Sequence, residues 1–248
     1  MPLHQSDSII LKTYPLGEAD RIVVFFSRDF GKVRGVANGA RRMKNRFGAS
    51  LEPLAHSRLI FFERENRELV RIQSADLLDS PMGLFADYDR AVFAAQLVEL
   101  LDKFLPEHEP HDAVYRLVRM TLEAIERNCP LAAAACYFEV WMLRLAGMFP
   151  DLSNCSVCSR SIEAGEDRHL AMGLQAVVCS SCEHRESVAV HPEVPVVLQW
   201  ILRNRLEGES VQDGPGAQGG LLSLAGPEKG VRDLHELNQY WIRHYLER

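Results

Sequence analysis

The chain has 248 residues, 47% of them apolar and 25% charged, with a formal net charge of −6. Such values fit a globular protein able to bury a sizeable core, and they exclude intrinsically disordered and fibrous classes. The longest uncharged stretches, such as Cys129 to Phe138, fall short of the ~18 residues a membrane-spanning helix needs, and Met1 to Asp7 carries no cationic leader. We therefore expect no membrane span, no signal peptide and a cytoplasmic location.

Residues 1–80 read as five strands, roughly Asp7 to Tyr14, Asp20 to Ser27, Lys32 to Asn38, Ala55 to Phe62 and Glu68 to Leu77. Turn residues separate them at Pro15-Leu16-Gly17, Asp29-Phe30-Gly31 and Glu65-Asn66. Five short strands suit a small barrel, with an OB-fold the leading solution and an SH3-like barrel the alternative. This segment holds 13 Lys and Arg against 10 Asp and Glu, whereas residues 81–248 hold 15 against 24.

The excess is concentrated. Seven basic residues (Arg28, Lys32, Arg34, Arg41, Arg42, Lys44, Arg46) and one acid, Asp29, lie between Arg28 and Arg46. Lys32 and Arg34, two apart on one strand, share its outward face. Arg41, Arg42, Lys44 and Arg46 lie on a Gly-flanked connection read as mobile, where cations neutralise phosphates, and Phe47 offers a surface for an unpaired base. No residue here prescribes recognition of a particular base.

After Pro81 the apolar period changes to that of helices. Phe93, Leu97, Leu100, Leu101 and Phe104 form one face, and Val114, Leu117, Val118, Thr121, Leu122 and Ile125 a second. Ala134, Phe138, Trp141, Leu145 and Met148 form a third. Prolines 106, 110 and 130 separate them. Periodicity lapses from Asp151 to Val190, returns from Glu193 to Leu206, and gives way to a Gly-rich stretch, Gly208 to Gly230, read as a loop or flexible excursion. Leu234, Leu237, Trp241 and Tyr245 then mark a C-terminal amphipathic helix.

Cys155-Ser-Val-Cys158 and Cys179-Ser-Ser-Cys182 lie 20 residues apart. Two intervening residues let a tight turn aim both thiolates at one cation, and two such turns complete a tetrahedron. Four thiolates leave no open coordination position, so we expect one structural Zn2+ and no metal-based catalysis. His169, His184 and His191 read as loop residues rather than ligands, and Cys129 and Cys136 as buried small apolar groups. No P-loop, GxSxG, HExxH or dinucleotide fingerprint occurs, so no enzyme is expected. The competing reading is a zinc-ribbon protein-interaction module that does not touch DNA.

The basic cluster and the cysteine array occur together with Leu16-Gly-Glu-Ala-Asp20, Asp29-Phe-Gly-Lys32, Gly39-Ala-Arg-Arg42, Leu51-Glu-Pro-Leu54 and Leu145-Ala-Gly-Met-Phe-Pro-Asp151. In that order these pieces resemble the RecO recombination mediators of bacteria over nearly the whole chain. The resemblance implies an α+β multidomain protein. Its parts are an OB-type DNA-binding domain at 1–80 and a helical domain at 81–248, with a zinc-binding insertion at about 151–190. It also implies binding of single- and double-stranded DNA and annealing of complementary strands at the bacterial nucleoid. With RecR, such proteins help to load RecA onto DNA coated by single-stranded-DNA-binding protein. Departures from the usual family pattern are Asn38 and Asn45 around the basic loop, Ser159 after Cys158, and Ala176-Val177 before Cys179.

Overall fold

The computed structural model describes residues 2–63, 68–85, 87–163, 165–172, 176–206 and 227–246. The expected turn at Glu65-Asn66, and the Gly-rich stretch up to residue 226, lie outside the described residues. The chain divides into two compact units, Met1–Arg119 and Met120–Arg248.

The first unit is built on five strands: β1 (Leu3–Leu16), β2 (Asp20–Ser27), β3 (Gly31–Ala37), β4 (His56–Phe62) and β5 (Val70–Asp79). They close in the order β1-β2-β3-β5-β4, with β3 and β5 parallel and the other pairs antiparallel. That one parallel closure gives an OB-type barrel rather than the SH3-like alternative. Alternate residues fill its interior, among them Ile10, Val23, Phe25, Val33, Leu59, Phe61 and Ile72. β1 is longer than its apolar run indicates, because residues from Leu3 onward pair with β4. Its pairing with β2 is irregular between Ile10 and Lys12.

Ile9, Leu11, Val24 and Phe26 are also buried, although they lie outside the interior cluster. The outer face of the barrel is therefore covered in part. Helix α1 (Tyr88–Phe104) packs on β1, and the Tyr115 ring of α2 (Asp112–Glu126) lies 5.7 Å from that of Phe26. The connection between these helices closes on β3, where the His108 amide donates to the Lys32 carbonyl at 3.0 Å. A Cβ at Gly31 would collide with the main chain of Glu109, and Gly31 has φ +71°, so glycine is required there on two counts.

The second unit contains α3 (Leu131–Leu145), β6 (Arg168–Ala171), β7 (Ala176–Cys179), β8 (Ser187–Val190), α4 (Val194–Arg203) and α5 (Pro227–Leu246). Helix α5 packs on α3 and α4. α3 is buried continuously from Ala133 to Val140, wider than the single face its periodicity marks. The buried face of α5 is Val231, Leu234, Asn238, Trp241 and Ile242. No helix among the described residues is long and apolar enough to cross a membrane.

Glu139 of α3 is 3% exposed, and α5 supplies its partners. His235 Nδ1 lies 2.9 Å from its Oε2, Asn238 Nδ2 donates to the same oxygen at 3.4 Å, and Gln239 Nε2 donates to Oε1 at 2.5 Å. The Glu139 hydrogen bond raises the His235 pKa against the opposing effect of burial. A raised folded-state value means stabilisation that is full below the unfolded histidine's ~6.5 and fades as pH rises through the folded value. Chemical denaturation across that range is expected to show the second unit losing stability with rising pH. Glu139→Gln should flatten this dependence, and an unchanged slope in the variant would remove the pair from the account.

Candidate nucleic-acid interface and metal centre

The connection from β3 to β4 carries the basic loop, and its backbone is tied at both ends by hydrogen bonds. The Gly39 amide donates to Asp20 Oδ1 at 2.7 Å, and Arg41 donates from its amide to the Ala19 carbonyl at 2.9 Å and from Nη1 to the Gly17 carbonyl at 2.6 Å. Farther along, Asn45 Oδ1 accepts from the amides of Phe47 (3.0 Å) and Gly48 (2.9 Å), while its Nδ2 donates to the Arg42 carbonyl at 3.1 Å. A short polar side chain that bonds its own neighbouring backbone is a turn-forming device. The loop is thus stapled at one end to the β1–β2 hairpin and folded on itself at the other.

Phe47 differs from its expected role. It is 4% exposed and belongs to the barrel's interior cluster, so it anchors the loop instead of meeting a base. Its apolar ring gains more from the core than from solvent, and Arg46 approaches it, with Cζ 4.9 Å from the ring centroid.

Lys32 differs too. It is 6% exposed and donates to both the main-chain carbonyl and the carboxylate of Asp102. Lys12 donates to the same carboxylate at 2.7 Å. Burial alone would raise the Asp102 carboxyl, yet the two lysines together hold it below the ordinary range. Arg34 pairs with Glu107 at 2.7 Å and Arg28 with Asp112 at 2.8 Å. Acids of α1, its following loop and α2 therefore neutralise the cations on this side of the barrel. Among the described residues, no ion pair is recorded for Arg41, Arg42, Lys44 or Arg46, so four cations without a carboxylate partner are gathered on one short loop.

In the second unit the four Sγ atoms of Cys155, Cys158, Cys179 and Cys182 lie within 4.8 Å of one another, with Cys158 and Cys179 3.9 Å apart. A tetrahedral cation with metal–sulfur bonds of about 2.3 Å would set its ligands ~3.8 Å apart, so the four sulfurs are spaced to hold a metal ion. The first pair sits on a hairpin, where the Ser159 amide donates to the Cys155 carbonyl at 2.8 Å and the Cys155 amide to the Arg160 carbonyl at 2.8 Å. Ser159 adopts φ +58°, a left-handed conformation glycine takes more readily. The second pair lies at the end of β7 and on the turn Ser180–Cys182. The hairpin is tied to β7 by the Ser156 amide and hydroxyl, which donate to the Val177 carbonyl.

Burial raises the Cys155 thiol, but the main-chain amides of Cys158, Cys179 and Val157 outweigh it and bring the value to about 6. Burial and the neighbouring sulfurs push Cys182 up to about 12. The four sulfurs are thus not all thiolates at neutral pH without a cation, and binding one releases protons.

Sequence reasoning missed Arg168, the main brace of this centre. Nearly buried in β6, it donates to the carbonyls of Leu152 (3.1 Å), Glu166 (3.0 Å), Ile162 (2.9 Å) and Glu163 (3.2 Å), joining the segment before the first pair to the sheet behind the second. Nothing in its sequence neighbourhood, Arg168-His-Leu-Ala171, marks it as an inside residue.

Comparison with known proteins agrees with both halves of this architecture. The family "Recombination protein O N terminal" matches residues 1–81, and "Recombination protein O C terminal" matches residues 86–248. A DNA repair protein RecO from Koribacter versatilis is 40% identical over 208 residues, covering 83% of each chain. One from Bifidobacterium adolescentis is 33% identical over 252 residues, covering 100% of this chain and 96% of the relative. A third, from Geobacter metallireducens, is 33% identical over 195 residues and covers 78% of each. With an OB-type barrel followed by a helical, four-cysteine region, and family matches along almost its whole length, the chain belongs to the RecO family of DNA repair proteins.

Proposed function

We propose that this protein is a non-enzymatic recombination mediator that binds single- and double-stranded DNA, anneals complementary strands and, with RecR, helps to load RecA onto DNA covered by single-stranded-DNA-binding protein. The observation that carries the reading is the stapled loop, which presents Arg41, Arg42, Lys44 and Arg46 with no carboxylate partner among the described residues. Four cations on a rigid backbone neutralise phosphates without reading base edges, which suits a protein that must accept any sequence. Lowering the repulsion between two phosphate backbones, while leaving Watson–Crick edges free, is what annealing requires. Arg34, half-exposed beside Glu107, lies at the margin of this surface.

On this reading DNA contact belongs to the barrel of residues 1–80, and the insertion of about 151–190 holds one structural Zn2+ on Cys155, Cys158, Cys179 and Cys182. Zinc is the cation that an all-cysteine tetrahedron suits best. With every ligand position taken by the chain, the ion would order the insertion and supply no chemistry to a substrate. The protein would act in the bacterial cytoplasm, at the nucleoid.

Salt titration tests the electrostatic core of the proposal. Four neutralised phosphates predict that log K for single strands falls against log salt with a slope near −3, at ~0.7 per phosphate. Tight binding with a slope near zero would contradict it.

A further inference from the structure

With Phe47 inside the barrel, the cationic loop has no aromatic surface of its own, and strand register supplies one next to it. Tyr14 of β1 lies opposite Ile22 of β2, Ile22 opposite Val36 of β3, and Val36 opposite Arg71 of β5. Directly opposed residues share one face of a sheet. The adjacent row, Thr13–Val23–Gly35, faces the interior, since Val23 is fully buried in the interior cluster. The Tyr14 row must therefore face outward. Tyr14 is 48% exposed, Ile22 and Val36 are half-buried, and Arg71 is exposed.

The same outer face is closed one row further along, where Lys12 and Arg34 flank Val24 and are held by Asp102 and Glu107. The closed part stops short of Tyr14. At the other end, Leu16 leads into the hairpin whose Gly17 and Ala19 carbonyls accept from Arg41. Tyr14 therefore lies only two strand residues, about 7 Å, from the hairpin to which the loop is stapled. Of the acids on the hairpin, Glu18 lies at its tip, and one oxygen of Asp20 already accepts from the Gly39 amide; on the other side Asp102 is engaged by Lys12.

We infer that Tyr14, seated on the apolar floor of Ile22 and Val36, is a stacking subsite for an unpaired nucleobase whose backbone is held by the Arg41–Arg46 loop. A half-exposed phenol ring in an outward row with Ile22 and Val36, on the strand that leads into the hairpin bonded by Arg41, matches a flat aromatic base on an anionic chain. Stacking on an aromatic side chain tolerates any base, because each presents a π-face. A duplex already stacks its bases internally and offers no such face, so the subsite discriminates single strands from duplexes while the loop serves both. The inference rests on the nucleic-acid reading above.

The test compares the intact protein with Tyr14→Ala and Tyr14→Phe, by fluorescence anisotropy, on a labelled oligothymidylate and on a blunt duplex of equal length. Tyr14→Ala should weaken single-strand binding about fivefold or more, the smallest loss expected for one stacked base. Duplex binding and the salt slope should stay unchanged, and Tyr14→Phe should bind as the intact protein does. Equal loss on both substrates, or no loss on either, overturns the subsite while leaving the loop's role intact. If the intact protein binds neither substrate, the nucleic-acid reading falls and the subsite with it.

Discussion

Reversing Arg41, Arg42, Lys44 and Arg46 to glutamate is expected to abolish binding to both single- and double-stranded DNA at physiological salt, with the barrel still folded. The four side chains contribute little to the fold. Arg42 and Lys44 are exposed with no ion-pair partner among the described residues, Arg46 lies over an aromatic ring, and only Arg41 donates a side-chain bond to the main chain. Phosphate neutralisation supplies nearly all non-specific affinity, so replacing four attractions by four repulsions removes its source. In the unaltered protein the same electrostatics predict a loss of about 60-fold between 50 and 200 mM salt, the fourfold change in concentration raised to the third power by a slope near −3.

Asn45→Ala separates charge from order. Every cation remains, so the salt slope should stay near −3. The Arg42 carbonyl and the amides of Phe47 and Gly48 lose their partner, and a loosened loop must be ordered on binding. Affinity should fall by up to about tenfold, the scale of immobilising one or two side chains. A changed slope would mean that Asn45 holds the loop in a different set of phosphate contacts.

On the proposed zinc reading, removing the metal, by chelation or by Cys179→Ser, is expected to disorder the region around the four cysteines and spare the barrel. The sheet β7-β6-β8 consists of only three four-residue strands, near the lower end of strand length and of strand number for independent stability. Its other ties include a few apolar residues, among them Leu152, Ile162, Leu170 and Val177, the Arg168 and Ser156 bonds, and the Tyr240 hydroxyl, which donates to the Met172 carbonyl. Without an ion, clustered thiols of unlike proton affinity, two of them buried, stand in place of a coordinated tetrahedron. The barrel keeps its own core around Phe25, Leu59 and Phe61. Amide hydrogen exchange should accelerate across residues 155–190 and remain slow in β1 to β5, and DNA affinity should hold. Fast exchange throughout the barrel would show that the ion stabilises more than the insertion. Because the thiols must lose protons to bind the cation, metal affinity should also weaken as pH falls.

The strands, the helical faces and the four cysteines were legible because each rests on local rules: alternation, helical period and ligand spacing. The surface chemistry was only partly so. Lys32 and Arg34 do share an outward face, but nothing in their spacing reveals that Asp102 of α1 and Glu107 of the loop after it arrive some 70 residues later to neutralise them. Phe47 sits among arginines in the sequence, and only the closed barrel shows that its ring completes the core. Arg168 and Glu139 look like surface charges until their partners, four carbonyls in one case and three side chains of α5 in the other, are brought in by tertiary structure. Tyr14 became visible only through register, which assigns its row to the outer face.

The central claim is that a fixed cationic loop lets two phosphate backbones approach. Annealing of complementary oligonucleotides without nucleotide, followed at increasing salt for the intact protein and the fourfold charge reversal, tests it most directly. The account predicts rapid annealing by the intact protein, slowed by salt and absent in the variant. Annealing by the variant at the intact protein's rate would contradict it, as would no annealing and no DNA binding by the intact protein at low salt, which would favour a zinc-ribbon protein-interaction module instead.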